Sequence, residues 1–220
     1  MPMFRDRRHA GELLAGLLGS YRGQARTVVL ALPRGGVPVG AVVACTLGVP
    51  FDVFPVRKIG APHQPELAIG AVAAGGMLVL NEHAVASMRI SHETLDAAVA
   101  REREELLRRE QLYRGDKPPL ELKGWTAILI DDGLATGYTM LAAVRAVRTH
   151  APARAVVAVP VAPPSTIERL SGEADEIVCV HSTENMFAVG EFYEDFRQVS
   201  DDEVRAAMKG PEEGPQGNSE

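Results

Sequence analysis

Five short segments of the sequence are nearly continuous runs of apolar residues, and stretches of helical character separate most of them. A strand without alternation of apolar and polar residues is typical of one buried on both faces. Such strands, alternating with helices, predict a parallel sheet with helices on both sides. The expected fold class is therefore α/β, with an open, mainly parallel twisted sheet flanked by helices. The predicted strands are 28–33, 51–59, 126–132, 153–162 and 176–182.

The remaining segments predict helices, a hairpin and a tail. Two short strands are expected within 68–81, around the Gly75-Gly76 turn, and residues 60–66 read as a mobile loop. The tail 209–220 lacks apolar residues and is rich in Gly, Pro and charge, so it is expected to be disordered. The predicted helices are 7–20, 37–48, 91–114, 139–151 and the short 167–173.

Length and composition narrow the class of protein. A chain of 220 residues can form one large domain, expected over 1–208 with a core at about 27–183. The net charge of -6 argues against a protein that binds nucleic acid by neutralising phosphates. The apolar runs stop well short of the roughly 20 residues that a membrane crossing needs. Two cysteines without CxxC spacing fit the cytoplasm as the default location.

The ends of two predicted strands carry unusual chemistry. Asp131 and Asp132 follow one buried strand, and the small or hydroxylic residues 135–139 come next, at the start of a helix. Arg34-Gly35-Gly36 follows the first core strand. Loops at the carboxyl ends of parallel strands meet helix N-termini, whose free N–H groups favour anions. Backbone amides with the hydroxyls of Thr136 and Thr139 suit a phosphate, and the two carboxylates suit a vicinal diol and a divalent cation.

A structural explanation for the carboxylate pair is a strand that runs into a turn, with Asp132 capping the following helix. The whole run favours a functional one. The run closely resembles the signature of type I phosphoribosyltransferases, which bind phosphoribosyl pyrophosphate. That signature is an apolar strand, Asp-Asp, two loose positions, a small residue, Thr, Gly, one further residue and Thr. The resemblance covers residues 27 to about 183. The chain lacks GxxxxGK[ST] and GxGxxG, which disfavours Walker-type and Rossmann sites.

The resemblance implies roles for particular residues. Asp131 and Asp132 would contact the ribose hydroxyls and Mg²⁺, the expected cofactor, and Arg34 with Gly35 and Gly36 looks like the family's pyrophosphate loop. That loop often contains a non-proline cis bond, expected here before Gly35. The cradle of the 5′-phosphate would be Ala135, Thr136, Gly137, Tyr138 and Thr139.

Two further segments are assigned by position. Arg57 and Lys58 are expected at the end of the next strand, where basic residues would suit a pyrophosphate leaving group, although plain surface charge is the alternative. Residues 60–76 occupy the place of the family's flexible loop, a hairpin that closes over the reacting carbon and excludes water. His63 in this segment is interpreted as a loop residue and not as a catalyst.

The implied reaction is transfer of a phosphoribosyl group to a nitrogen of a base, with release of pyrophosphate, as in nucleotide salvage. Ala135 stands where the 6-oxopurine branch of the family carries an acid, which resembles adenine-specific members, whereas Arg-Gly-Gly looks more like the xanthine-guanine branch. A purine acceptor is favoured over a pyrimidine. The alternative is a non-catalytic relative that senses phosphoribosyl pyrophosphate, and a weaker one is a sugar-phosphate isomerase or kinase.

The acceptor lobe is the least defined part of the prediction. Residues 182–199 form the expected small hood, with Phe187, Phe192, Tyr193 and Phe196 either stacking on a base or packing as a satellite core. By resemblance a homodimer is expected. The predicted partners are phosphoribosyl pyrophosphate and a small acceptor base, without nucleic acid or membrane.

Overall fold

The computed structural model describes residues 3–62 and 64–209. It contains seven α-helices and eight strands within these ranges, together with three short 3₁₀ turns. The helices are α1 (Arg7–Leu17), α2 (Gly36–Leu47), α3 (Glu82–Ser87), α4 (His92–Arg114), α5 (Tyr138–Arg148), α6 (Pro164–Ser171) and α7 (Asp201–Lys209). The strands are β1 (Thr27–Ala31), β2 (Phe51–Val53), β3 (Val56–Ala61), β4 (Gln64–Ala73), β5 (Leu78–Leu80), β6 (Thr126–Ile130), β7 (Arg154–Ala162) and β8 (Glu176–Ser182).

The central sheet has five parallel strands in the order β2-β1-β6-β7-β8, which confirms the predicted fold class. Successive residues of a strand face opposite sides of a sheet, and both sides are covered here. Val29 and Ile128 pack with α1 and α2, whereas Leu30 and Leu129 pack with α5. Fully buried strands need the continuous apolar sequence from which they were predicted.

The strand order changes direction at β1. Its neighbour on one side is β2, which comes next in the chain, and on the other side is β6, some hundred residues later. Ala31 pairs with Ile130, so the two strands end at the same level. Open parallel sheets bind ligands beyond the carboxyl ends of strands at such a reversal. The fold therefore directs attention to the loops after β1 and β6.

A second, antiparallel sheet, β3-β4-β5, contradicts the prediction of one strand over 51–59. The run breaks at Phe54-Pro55: β2 belongs to the parallel sheet, and β3 belongs to the small one. Proline has no N–H to donate and interrupts a strand ladder. The two strands expected around the Gly75-Gly76 turn are present as β4 and β5.

The segment expected as a loop at 60–66 is a hairpin, in which β3 runs to Ala61 and β4 begins at Gln64. His63 lies outside the described residues. One face of the small sheet packs on α4, through Ile59 and Ile69. Its other face contributes Val56 to the cluster beneath α5. The position of the hairpin agrees with the prediction, and its mobility stays a prediction.

The N-terminal residues of the described chain meet the hood. Phe4 pairs with Tyr193 as an isolated bridge, and both are buried in a cluster with Phe192 packed against it. Phe192 and Tyr193 thus form the satellite core that was one of two alternatives for the hood, while the Phe187 side chain is 96% exposed. Helix α7 ends at Lys209, the first residue of the predicted disordered tail, and 210–220 lie outside the described residues.

Candidate functional site

The loops after β1 and β6 touch each other. A Cβ atom added to Gly35 would lie 2.0 Å from Oδ2 of Asp132, and one added to Gly36 would lie 2.6 Å from the Ile130 carbonyl oxygen. A side chain at either position would have to displace its neighbours, because real Cβ contacts do not come this close. The two glycines are therefore needed for close approach, and the structure brings together the two segments that the sequence singled out.

Asp132 forms the most enclosed ion pair of the site. Oδ2 of Asp132 accepts a hydrogen bond from Arg7 Nε at 2.8 Å and lies 2.7 Å from Arg7 Nη2. Only 10% of the Arg7 side chain and 13% of the Asp132 side chain are exposed. Burial raises the pKa of Asp132, and the Arg7 guanidinium opposes that shift. Tyr193 donates its hydroxyl to the Asp132 backbone carbonyl at 2.6 Å.

Asp131 has a different environment from its neighbour. Its Oδ1 accepts a hydrogen bond from the Asp132 backbone N–H at 2.9 Å, and within the described residues it forms no ion pair with a cation. Burial and the adjacent charge of Asp132 raise the pKa of Asp131 well above its ordinary value. A carboxylate in this state gains from an arriving cation, because a positive charge favours the ionised form.

Two carbonyl oxygens of the loop between β6 and α5 accept hydrogen bonds from α6. The Thr166 hydroxyl of α6 donates to the Ala135 carbonyl at 2.7 Å, and Arg169 of α6 donates to the Thr136 carbonyl. Gly137 has a φ of 75°, the left-handed region that favours glycine. Helix α5 begins at Tyr138, and the first N–H groups of a helix have no partner within it. The amides of 137–139, at the N-terminus of α5, are therefore suited to an anionic ligand.

Arg34 is bound to the last helix. Its Nη1 lies 3.7 Å from Oδ1 of Asp201, which also accepts a hydrogen bond from the Tyr113 hydroxyl at 2.5 Å. The cis peptide bond of this loop joins Pro33 to Arg34, one residue earlier than expected. The prediction of a cis bond before Gly35 is therefore wrong in position.

Arg57 and Lys58 do not lie at the carboxyl end of a central strand, so that part of the prediction is wrong. Both are within β3 of the small sheet, because the chain leaves the parallel sheet at Pro55. Arg57 pairs with Glu102 of α4, with Nη2 and Oε2 2.8 Å apart. Lys58 follows Arg57 in β3 and lines the same cavity between β3 and α4 as Arg57 and Glu102.

A cavity of about 360 Å³ lies between these loops and the hood. Two arginines, an acid and an aromatic ring line it, which gives it both hydrogen-bonding and stacking surfaces. The residues are Arg7, Arg34, Gly35, Asp132, Phe196, Gln198 and Val199.

Sequence reasoning missed Arg7, Thr166 and Arg169. The pattern of residues 7–20 predicts only a packing helix, but Arg7 shares a helix face with Ala10 and Leu14, which are fully buried. An arginine at the start of an apolar face was the signal that could have identified it. Thr166 and Arg169 gave no such signal, because only the packing of α6 brings them to the loop.

The donor set of the site fits a magnesium ion. Mg²⁺ binds through one or two carboxylates together with water and substrate phosphates, so it does not need a group of three protein ligands. The described residues contain no such group of three. Asp131, which forms no ion pair within 3–62 and 64–209, is the carboxylate that fits best.

Comparison with known proteins gives a consistent family. The model of a phosphoribosyl transferase domain matches residues 6–197. Two Mycobacterium tuberculosis proteins, "Putative phosphoribosyl transferase MT0597" and "Putative phosphoribosyl transferase Rv0571c", are each 44% identical over 208 residues. The match covers 94% of this chain and 47% of either relative, so the chain spans about half the length of the curated relatives it matches.

Solved structures agree on the fold. TT1426 from Thermus thermophilus is 46% identical, with a TM-score of 0.77 over 94% of this chain and 98% of that one. AQ2163 protein from Aquifex aeolicus is 14% identical, with a TM-score of 0.52 over 84% of this chain and 78% of that one, and shows the fold alone.

No helix in the described ranges is long and apolar enough to cross a membrane.

Proposed function

The chain belongs to the phosphoribosyl transferase domain family, and on this premise we propose that it binds phosphoribosyl pyrophosphate with Mg²⁺ and transfers the phosphoribosyl group to a nitrogenous base. The observation that carries the proposal is the contact between the loop at 34–36 and the carboxylates that precede the loop at 135–139. One ligand with a phosphate, a diol and a pyrophosphate can reach all three groups.

The donor would lie across the carboxyl ends of β1 and β6. Its 5′-phosphate would bind the amides of 137–139 and the hydroxyls of Thr136 and Thr139. Its ribose hydroxyls would face Asp131 and Asp132, and its pyrophosphate would lie along the backbone of Gly35 and Gly36 beside Arg34. Because three parts of the donor would be held at once, its C1 atom would have a defined position.

The proposed reaction is a displacement at C1. The bond from C1 to the pyrophosphate oxygen breaks and its electron pair leaves with pyrophosphate, a bond from C1 to a ring nitrogen of the base forms, and the proton of that nitrogen passes to the released pyrophosphate or to water. When bound, Mg²⁺ supplies positive charge beside the pyrophosphate oxygens. Arg34 adds charge from the protein, Asp131 and Asp132 orient the ribose, and the hairpin of β3 and β4 excludes water from the reacting carbon.

Arg57 and Lys58 both stay proposed as basic residues for the leaving group. Arg57 is committed to Glu102 at 2.8 Å, on the side of the small sheet that faces α4. Lys58 borders the same cavity between β3 and α4 as Arg57 and Glu102.

The cavity of about 360 Å³ is the proposed place for the acceptor, since it borders Asp132 and the loop at 34–36. Phe196 is 36% exposed and offers a ring face or edge to a planar base. The Gln198 amide supplies both a donor and an acceptor for the edge of that base. We propose a purine, in keeping with Ala135 in the phosphate loop.

The test is a turnover assay with the full chain. The protein is incubated with Mg²⁺, phosphoribosyl pyrophosphate and a panel of purine and pyrimidine bases, and released pyrophosphate is measured. We expect release with at least one purine and none without a base. Calorimetry with the donor and Mg²⁺ accompanies the assay. Donor binding without turnover across the panel would support a sensor instead, and a protein that does not bind the donor would contradict both functions.

A further inference from the structure

Arg7 is a buried cation at the start of α1, and it connects three separate parts of the chain. Asp6 caps the helix, accepting a hydrogen bond from the His9 backbone N–H at 2.7 Å, and so fixes Arg7 as the first helical residue. Arg7 then points the same way as the buried Ala10 and Leu14. Its neighbour Arg8 has a side chain that is 79% exposed and pairs only with Glu12 among the described residues.

The guanidinium of Arg7 uses all of its nitrogens. Nε and Nη2 hold Oδ2 of Asp132, at 2.8 and 2.7 Å, and Nη1 donates to the Arg197 carbonyl in the hood at 2.7 Å. The Phe196 ring covers the guanidinium, and the Arg7 Cζ atom lies 4.0 Å from the centroid of that ring. Because the guanidinium is planar and rigid, these contacts fix the orientation of the Asp132 carboxylate relative to the hood.

The hood also holds the backbone of Asp132. The Tyr193 hydroxyl donates to the Asp132 carbonyl at 2.6 Å, and burial raises the pKa of Tyr193, so this hydroxyl keeps its proton. Both the side chain and the main chain of Asp132 are therefore tied to elements outside the loop that carries it. Asp131 makes no comparable contact with α1 or the hood in the described part of the chain.

We propose that Arg7 is a positioning residue for the donor site: it orients Asp132 for the ribose and couples that acid to the acceptor lobe. The two adjacent acids then have distinct roles. Asp131 meets the cation and the ribose, while Asp132 meets the ribose and also relays the position of the hood to the donor. Arg7 acts through Asp132 and has no separate role on the donor. This inference rests on the proposed function, because its ligand is phosphoribosyl pyrophosphate.

A double-mutant cycle on donor affinity tests the inference. Calorimetry with phosphoribosyl pyrophosphate and Mg²⁺ compares the wild type, Arg7→Gln, Asp132→Asn and the double variant, at a temperature well below every melting midpoint. We expect Arg7→Gln to weaken donor binding about tenfold in the wild-type background and less than about twofold in the Asp132→Asn background. A residue that only supports the fold would weaken binding by the same factor in both.

Two further variants secure the result. Arg7→Lys keeps the charge but cannot make the same planar set of bonds, so it is expected to recover only part of the affinity, and it replaces Arg7→Gln in the cycle if that variant fails to fold. Arg8→Gln, a matched change on the exposed neighbour, is expected to leave affinity unchanged.

The outcomes separate the inference from the proposed function. A wild type that binds the donor, with Arg7→Gln unaffected or with equal losses in both backgrounds, overturns the inference alone. A wild type that does not bind the donor overturns the proposed function and this inference together.

Discussion

Ion pairs at the carboxyl edge of the central sheet and on the surface of α4 both join an arginine to an acid. The pKa of the acid is shifted in opposite directions in the two regions. On α4, Arg108 and Arg109 pair with Glu105, whose pKa falls to about 2 because the hydrogen bond from Arg108 outweighs a small burial. At the sheet edge, Arg7 pairs with Asp132, but burial dominates and the pKa of Asp132 rises, as does that of the adjacent Asp131.

The difference indicates what each region is for. Surface pairs in water contribute little to stability, so their loss is easily tolerated. Charges at the sheet edge are desolvated at a cost, and packing around Gly35 and Gly36 leaves no room to rearrange them. An arrangement that costs stability and allows no substitution is typical of a ligand site.

The largest expected effect is that of Gly35→Ala. The new Cβ would overlap Oδ2 of Asp132, 2.0 Å away, and must displace either the acid or the loop. We expect donor affinity to fall at least about 100-fold, measured by calorimetry with phosphoribosyl pyrophosphate and Mg²⁺. The control is Gly16→Ala on α1, where the added atom meets nothing within 4 Å. Equal affinities for the two variants would show that the close approach is unimportant.

The Asp132→Asn and Asp131→Asn variants are expected to differ in their free energy of unfolding, although each change weakens donor binding about tenfold. Asp132→Asn leaves Arg7 buried without its counter-charge and should lower the free energy of unfolding by on the order of 3 kcal/mol. Asp131→Asn removes a desolvated charge and should raise it by about 1 kcal/mol at neutral pH.

The stability gained by Asp131→Asn is expected to depend on pH. Because the pKa of Asp131 is raised in the folded state, its ionisation destabilises the wild type only above the unfolded value of about 3.9. The gain of the variant should therefore shrink as the pH falls toward 4. Thermal unfolding between pH 4 and 8 measures it, and a gain that grows on acidification would contradict the raised pKa.

A smaller effect is expected at the phosphate loop from Arg169→Gln. The variant loses the hydrogen bond to the Thr136 carbonyl and the guanidinium over the Tyr138 ring, 5.2 Å away, but Thr166 still holds the Ala135 carbonyl. Affinity for ribose 5-phosphate should fall about threefold to fivefold in calorimetry. Arg145→Gln, which breaks a pair with Glu173 next to α6, serves as the control. The same loss in the control would indicate a general charge effect.

The smallest effect is expected on α4. Arg108→Gln should change the free energy of unfolding by less than about 0.5 kcal/mol at pH 7 and leave donor affinity unchanged. Because the pKa of Glu105 is lowered, whatever the pair contributes is present above about pH 4.3 and is lost as the pH falls toward 2. Urea unfolding at pH 7 measures the change. A loss of more than about 2 kcal/mol would contradict the contrast between the two regions.

The sequence predicted the elements whose signal is local. Unbroken apolar runs predicted β1, β6, β7 and β8. The chemistry after two of them predicted a candidate site, and the structure brings these two strand ends together in the parallel sheet. The prediction of one strand over 51–59 was wrong, because hydrophobicity alone gives no weight to Pro55, where the chain passes from one sheet to the other.

The missed parts of the site depend on distant packing. Arg7 is 125 positions from Asp132 in the chain, and Thr166 is 31 positions from Ala135. No local pattern encodes either partner. For Arg57, a charge in an apolar run was interpreted as part of the site, whereas tertiary structure pairs it with Glu102, 45 positions away.

The most direct test is a crystal structure of the full chain with phosphoribosyl pyrophosphate and Mg²⁺. We predict that the 5′-phosphate binds the amides of 137–139, that the ribose hydroxyls contact Asp131 and Asp132, and that the pyrophosphate lies along Gly35 and Gly36. A donor bound elsewhere, with Arg7 and Asp132 paired far from it, would contradict the account.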